Sequence, residues 1–136
     1  MRACRVPFMP RRRAWLLAWA AQPLFGITEA AMANSQPGVR LLLLERHDCA
    51  WCRRWLLEVG ERSWNLSNLG RLAPLRRVDV AQALPEDLRW LTNWRFTPTF
   101  VLVVGDREVG RFMGYRGDLF FWQQAESLLA QLPQER

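Results

Sequence analysis

Two cysteines three positions apart, Cys49-Ala50-Trp51-Cys52, sit between a strand-like apolar run (residues 40–45) and a helix-like run (residues 53–59). A dithiol at a strand-to-helix turn restricts this chain more than any other feature, because Cys-x-x-Cys in a βαβ setting reads as a redox motif. The neighbouring residues argue against the other uses of such a pair. Structural zinc needs about four ligands, whereas His47 is the sole histidine and no second cysteine pair exists. Haem attachment needs a histidine directly after the second cysteine, and position 53 is Arg. A purely structural disulfide in so small a loop would constrain the unfolded chain little. A packed, inert pair sits badly with Asp48, Arg53 and Arg54, which make the turn polar. Neither a metal nor a cofactor is expected.

The length of 136 residues allows one domain plus any leader, and with half of the residues hydrophobic a sizeable core is within reach. A net charge of +6 suggests nucleic acid until its distribution is followed. Residues 1–33 carry five arginines against Glu29, while the remainder carries 14 arginines against 12 acids, a net of +2. A phosphate-binding surface is therefore poorly supported. The basic segment reads instead as an export signal: Arg11-Arg12-Arg13, an apolar stretch over residues 14–27 broken by Gln22 and Pro23, and an A-x-A site at Ala31-Met32-Ala33. Cleavage after Ala33 would leave a domain spanning residues 34–136. Arg12-Arg13-Ala14-Trp15-Leu16 also resembles a twin-arginine signal, without the usual preceding Ser or Thr. The alternative is an uncleaved anchor, although 14 residues fall short of the roughly 20 that a spanning helix needs. Export would put the dithiol in an oxidising compartment, and Cys4 would leave with the leader.

In the remainder, Asn34-Ser35-Gln36-Pro37-Gly38 is a polar lead-in and residues 39–45 form a continuous apolar run, as expected of a strand buried on both faces. Asp48 is expected to cap a helix starting at Cys49, with Trp51, Trp55, Leu56 and Val59 at helical spacing and Gly60 as a stop or bend. Residues 61–74 read as loop anchored by Trp64, Leu66 and Leu69, followed by a strand at 75–80. Pro85 opens a short helix through Leu91. A strand at 100–104, a type II′ turn at Gly105-Asp106 and a returning strand at 107–112 form a hairpin, with Val109 and Phe112 inward. Asp118 is expected to cap a last helix whose apolar face is Phe121, Ala125, Leu128, Leu129 and Leu132. The predicted class is α/β, in the order β-α-β-α-β-β-α, with the first two strands parallel.

With the dithiol before a helix and Thr97-Pro98 before the hairpin, the chain resembles the thioredoxin fold in its minimal form, a mixed four-stranded sheet flanked by helices. It is similar in particular to small exported thioredoxin-like proteins encoded with bacterial sulfur-oxidation systems, the SoxS type. The matching stretches are Cys49-Ala50-Trp51-Cys52-Arg53-Arg54-Trp55, Ala73-Pro74-Leu75-Arg76-Arg77-Val78-Asp79, Thr97-Pro98-Thr99-Phe100-Val101-Leu102 and Gly110-Arg111-Phe112-Met113-Gly114-Tyr115. The resemblance implies that Pro98 is cis and faces the dithiol; on the residues alone the trans bond is the commoner form. It further implies that the backbone of Thr97 pairs with an extended substrate chain. There are three departures. Asp48 replaces the tryptophan that precedes the first cysteine in thioredoxin, Ala50-Trp51 replaces its Gly-Pro between the cysteines, and the buried acid of thioredoxin would fall near Leu43, with Glu45 the candidate stand-in.

Disulfide exchange needs a thiolate, and a helix N-terminus favours an anion through its unpaired N–H groups and its dipole. Cys49 is therefore the expected nucleophile and Cys52, one turn on, the resolving thiol. Asp48 opposes the thiolate and protonated His47 offsets it, which makes both candidate tuning residues. Trp51 and Trp94 are placed to form an apolar rim for a partner, with core packing as the alternative role. Arg95 is placed to meet an acidic partner, although a solvated arginine is the commoner case. The reading is a periplasmic thiol–disulfide oxidoreductase that reduces a protein disulfide of a sulfur-oxidation partner. Electrons would come from a membrane dithiol donor, which only the resemblance implies. The rivals are an oxidase or isomerase, which the redox potential would separate, and a non-catalytic binding module, whose effect would survive loss of both cysteines.

Overall fold

The computed structural model describes residues 38–133, so the leader, its cleavage site and Cys4 lie outside the described residues. Four strands, β1 (Val39–Glu45), β2 (Leu75–Asp79), β3 (Thr99–Val104) and β4 (Arg107–Met113), form one sheet in the order β2-β1-β3-β4. β1 and β2 are parallel, β1 and β3 antiparallel, and β3 and β4 an antiparallel hairpin. Four α-helices accompany them: α1 (Ala50–Glu58), α2 (Gly60–Leu66), α3 (Asn68–Leu72) and α4 (Asp118–Leu129).

The continuous apolar run of β1 has the consequence expected of it. Successive side chains of a strand point to opposite faces. Val39, Leu41 and Leu43 enter a core with Trp55, Trp64, Phe100, Leu102 and Phe121, drawn from the helices and β3. Leu42 and Leu44 enter a second core with Val78, Val101, Val103, Leu88 and Leu91. The 80–98 connection supplies Leu88 and Leu91 and packs Leu84, Trp90 and Trp94 against that second face. β1, like β3, thus contributes to both layers, and its C-terminal end fixes where the dithiol turn emerges. Trp55, Phe100 and Phe121 meet ring to ring at 5.0–5.5 Å in the first core.

The hairpin follows the sequence reading. Gly105 takes φ +64, as the first central residue of a type II′ turn must. Val109 and Phe112 pack on the first core. The register jumps from Leu102↔Gly110 to Val103↔Glu108, so Val109 is the extra residue of a bulge.

Four local expectations are corrected. Residues 61–74 are not loop but mostly the short helices α2 and α3. Trp64 anchors them, fully buried and donating from Nε1 to the Ala73 carbonyl at 2.9 Å, whereas Leu66 is exposed. Ser67 separates the two helices, its hydroxyl donating to the Trp64 carbonyl at 2.6 Å and accepting from the Gly70 N–H at 2.9 Å. The helix expected at 85–91 shrinks to a single 3-10 turn, Glu86–Leu88, because Leu88 and Leu91 are drawn onto the sheet. Asp118 is the first residue of α4 and Gly117 its cap; the acid still suits the positive end of the helix. Asp48 does not cap α1, as described below.

Gly70 is required by close approach, since a Cβ there would stand 1.9 Å from the Trp64 carbonyl oxygen, which is backbone and cannot turn aside. Gly70→Ala should therefore lower stability by roughly 1–3 kcal/mol, the usual cost of overpacking. Urea unfolding followed by circular dichroism measures this, and an unchanged midpoint would contradict the α2–α3 packing described.

Candidate active site

The turn after β1 delivers Cys49 to the N-cap of α1 in an extended conformation, φ −83 and ψ 109. Its Sγ accepts the Cys52 N–H at 3.1 Å. The cysteine is thus its own cap, and the position expected of Asp48 is taken by sulfur. Asp48 instead turns back onto Arg46, whose Nε and Nη2 each donate to it at 3.0 Å. That hydrogen bond, more than any other influence, holds the Asp48 carboxyl below its ordinary value. The charge expected to oppose a thiolate is therefore already paired with a guanidinium. His47 is exposed, and its carbonyl accepts from Arg53 at 3.2 Å.

Cys49 and Cys52 are joined as a disulfide with their Cα atoms 5.3 Å apart. The two sulfurs differ in access: Cys49 is partly exposed, whereas Cys52 is 1% exposed. Across from them the Thr97–Pro98 peptide bond is cis. The Thr97 carbonyl oxygen lies 3.3 Å from Cys49 Sγ. Two hydrogen bonds hold this loop: the Gly114 N–H donates to the Pro98 carbonyl at 2.7 Å, and the Thr99 hydroxyl donates to the Phe96 carbonyl at 2.7 Å. Segments 48 residues apart in sequence are thereby set in contact.

Three of the exposed large apolar side chains border this contact: Trp51 between the cysteines, Phe96 next to Thr97, and Met113, which pairs with Thr99 across the hairpin. Trp94, the other rim candidate, is half-buried against the second core. Phe96 and Met113 were not singled out in the sequence, although Phe96 directly precedes Thr97.

Behind the buried sulfur lies a cavity of about 350 Å³, lined by Cys52, Glu45, His47, Arg53 and Arg77 among others. Glu45 is nearly buried and accepts from Arg77 Nε at 2.5 Å. Leu43, by contrast, is fully buried in the apolar core, so the site has no acid at that position. On the outer side, Arg54 lies over the Trp51 ring at 5.7 Å and donates to Glu58 at 2.7 Å. Glu58 also accepts the Tyr115 hydroxyl at 2.6 Å. That bond, then Arg54, holds the Glu58 carboxyl below its ordinary value. Burial first, and Glu58 second, push the Tyr115 hydroxyl well above its ordinary 10.0.

A helix-start disulfide across from a cis X–Pro bond, on a sheet of order β2-β1-β3-β4, defines the thioredoxin class of fold. Among solved structures the chain is similar to the reduced form of the periplasmic thioredoxin SoxS from Paracoccus pantotrophus. Identity is 42%, over 68% of this chain and 97% of that one, with a TM-score of 0.60. It also shares its fold with the thioredoxin Mala s 13 of Malassezia sympodialis at 18% identity, over 68% and 76% of the two chains, with a TM-score of 0.52. No protein-family model matches the sequence, and no curated protein does. On its identity to the SoxS protein, the chain belongs to the thioredoxin family.

The Tyr115–Glu58 bond carries a pH signature. A tyrosine held protonated in the fold contributes stability that is complete below the ordinary value of 10.0 and is lost as pH rises beyond it. Glu58 contributes stability above the ordinary carboxylate range that is lost as pH falls through it. Tyr115→Phe should therefore cost roughly 1 kcal/mol at neutral pH, the net worth of one hydrogen bond. The gap to the parent should narrow above about pH 10. Urea midpoints across pH measure it, and the chain has a single tyrosine, so phenolate absorbance reports its ionisation directly. A gap independent of pH would contradict the assignment.

Proposed function

We propose that the chain is an exported thiol–disulfide oxidoreductase that reduces protein disulfides through Cys49 and Cys52. The observation that carries this is the unequal access of the two sulfurs: Cys49 partly exposed at a helix start, Cys52 buried behind it. An incoming disulfide reaches only Cys49. The Cys49 thiolate attacks one substrate sulfur, forming a mixed disulfide and releasing the other sulfur as a thiolate. Cys52, deprotonated, then attacks Cys49 Sγ, which frees the second substrate sulfur and closes the Cys49–Cys52 disulfide. Two electrons pass to the substrate, and the oxidised pair is the state described above. Buried Cys52 can displace only what Cys49 has captured.

Thr97 and Pro98 are assigned to substrate binding, with the Thr97 backbone accepting an extended chain as an added strand. Trp51 supplies an apolar contact, and His47 and Asp48 tune the local charge, Asp48 with Arg46 as its counter-ion. Likeness to a periplasmic thioredoxin named SoxS supports a periplasmic setting. A partner in sulfur oxidation and recharging by a membrane dithiol donor are part of the proposal through the family resemblance alone. Export and removal of residues 1–33 belong to the same reading.

The parent should reduce insulin disulfides with dithiothreitol as donor, and Cys49→Ser should abolish this. Cys52→Ser should accumulate Cys49-linked mixed disulfides, visible on non-reducing gels of periplasmic extract and identified by mass spectrometry. An inactive parent, together with no trapped species, would overturn the proposal.

A further inference from the structure

A second cavity, of about 190 Å³, is lined by Arg46, Val80, Trp94, Arg95, Phe96 and Thr97. Its two ionisable lining residues are both arginines. Arg46 is committed to Asp48. Among the described residues, the salt bridges found do not include Arg95, which is exposed. The walls beside the guanidinium are aromatic, half-buried Trp94 and exposed Phe96. Thr97 forms one edge of this cavity, and its carbonyl is 3.3 Å from Cys49 Sγ. A chain that brings a sulfur to Cys49 along Thr97 would run past this cavity.

We propose that this cavity is a specificity subsite for an acidic side chain next to the substrate cysteine, with Arg95 as its counter-charge. The inference rests on the reading of Cys49 as the site of mixed-disulfide formation. A carboxylate suits the cavity because it meets an uncompensated guanidinium with no acid in the lining. Its methylene groups would lie against Trp94 and Phe96. A basic side chain would face two guanidinium groups there. Arg95 is a binding residue in this scheme, since it takes no part in the exchange itself.

The test uses Cys52→Ser protein, in which exchange stops at the mixed disulfide. Its Cys49 thiolate attacks a symmetrical peptide disulfide, forming the mixed disulfide and releasing one peptide thiolate, with no net oxidation. Peptides with Glu, Gln or Arg on both sides of one cysteine are equilibrated with the protein, and the bound fraction is read by mass spectrometry. The expected order is Glu, then Gln, then Arg, with each step about fivefold at low salt, the scale of one charge pair in a watery setting. The preference should shrink towards 1 M salt. Arg95→Glu, checked for folding by circular dichroism, should reverse the order, and Arg95→Gln should flatten it. Equal binding of the three peptides, or an order that survives in both Arg95 variants, would overturn the proposal. Insulin reduction by the parent is scored separately. Activity without charge preference would sink this subsite alone, whereas inactivity would sink the reading of the dithiol.

Discussion

The contact on which the site depends is one hydrogen bond, from the Cys52 N–H to Cys49 Sγ at 3.1 Å. A helix leaves its first N–H groups without partners inside the helix. Here one of them is spent on a sulfur rather than on a side-chain oxygen. The same bond that ends the helix in its oxidised form would stabilise a thiolate once the pair is reduced, by the 0.3–2 kcal/mol typical of charge at a helix start. The Thr97 carbonyl 3.3 Å away acts in the opposite sense, because a protonated thiol can donate to it. The proposed nucleophile is thus held between a donor and an acceptor, and the fold's part is to keep both in place. β1 does so on one side, buried on both faces up to the turn, and the hairpin does so on the other through Gly114 and Pro98.

Around that contact, most of the charge is already paired. Asp48 faces Arg46, Glu58 faces Arg54 and Tyr115, and Glu45 faces Arg77. The exposed pairs among them, Asp48–Arg46 and Glu58–Arg54, add little to stability. Their effect is local: they offset the acids' field in the neighbourhood of Cys49, while among the described residues Arg95 enters no salt bridge. The rim that results is apolar in Trp51, Phe96 and Met113 and positive at one corner. On the proposed function, such a surface would select partners by charge, while the backbone of Thr97 would supply affinity that does not depend on sequence.

Much of this was legible in the sequence because it is encoded locally. The dithiol, the seven-residue apolar strand, the Gly-Asp turn and the apolar face of α4 each announce themselves within a few residues. The parallel β1–β2 pairing and the β3–β4 hairpin followed from connection length, whereas the antiparallel pairing of β1 with β3 was set by the fold. The expectations that failed did so where a particular side-chain contact, near or far in sequence, decides. Asp48 looks like a helix cap, but Arg46 captures it. Residues 61–74 are polar enough to read as loop, yet Trp64 and the Ser67 cap fold them into two short helices. The 85–91 helix gave way because the sheet needed Leu88 and Leu91 more than the segment needed its own hydrogen bonds. The residues the fold brings to the dithiol include Thr97, Pro98 and Glu45, which the sequence already pointed to, while Phe96, Met113 and Arg77 become its neighbours only through the fold.

The most direct measurement is alkylation of the reduced protein at neutral pH, with each cysteine followed separately by mass spectrometry. A sulfur at the helix start with an N–H aimed at it, and a buried sulfur behind, should differ in rate by roughly tenfold or more, Cys49 being the faster. Equal and slow modification of both cysteines would mean that the helix start confers no reactivity, and the proposed chemistry would lose its foundation.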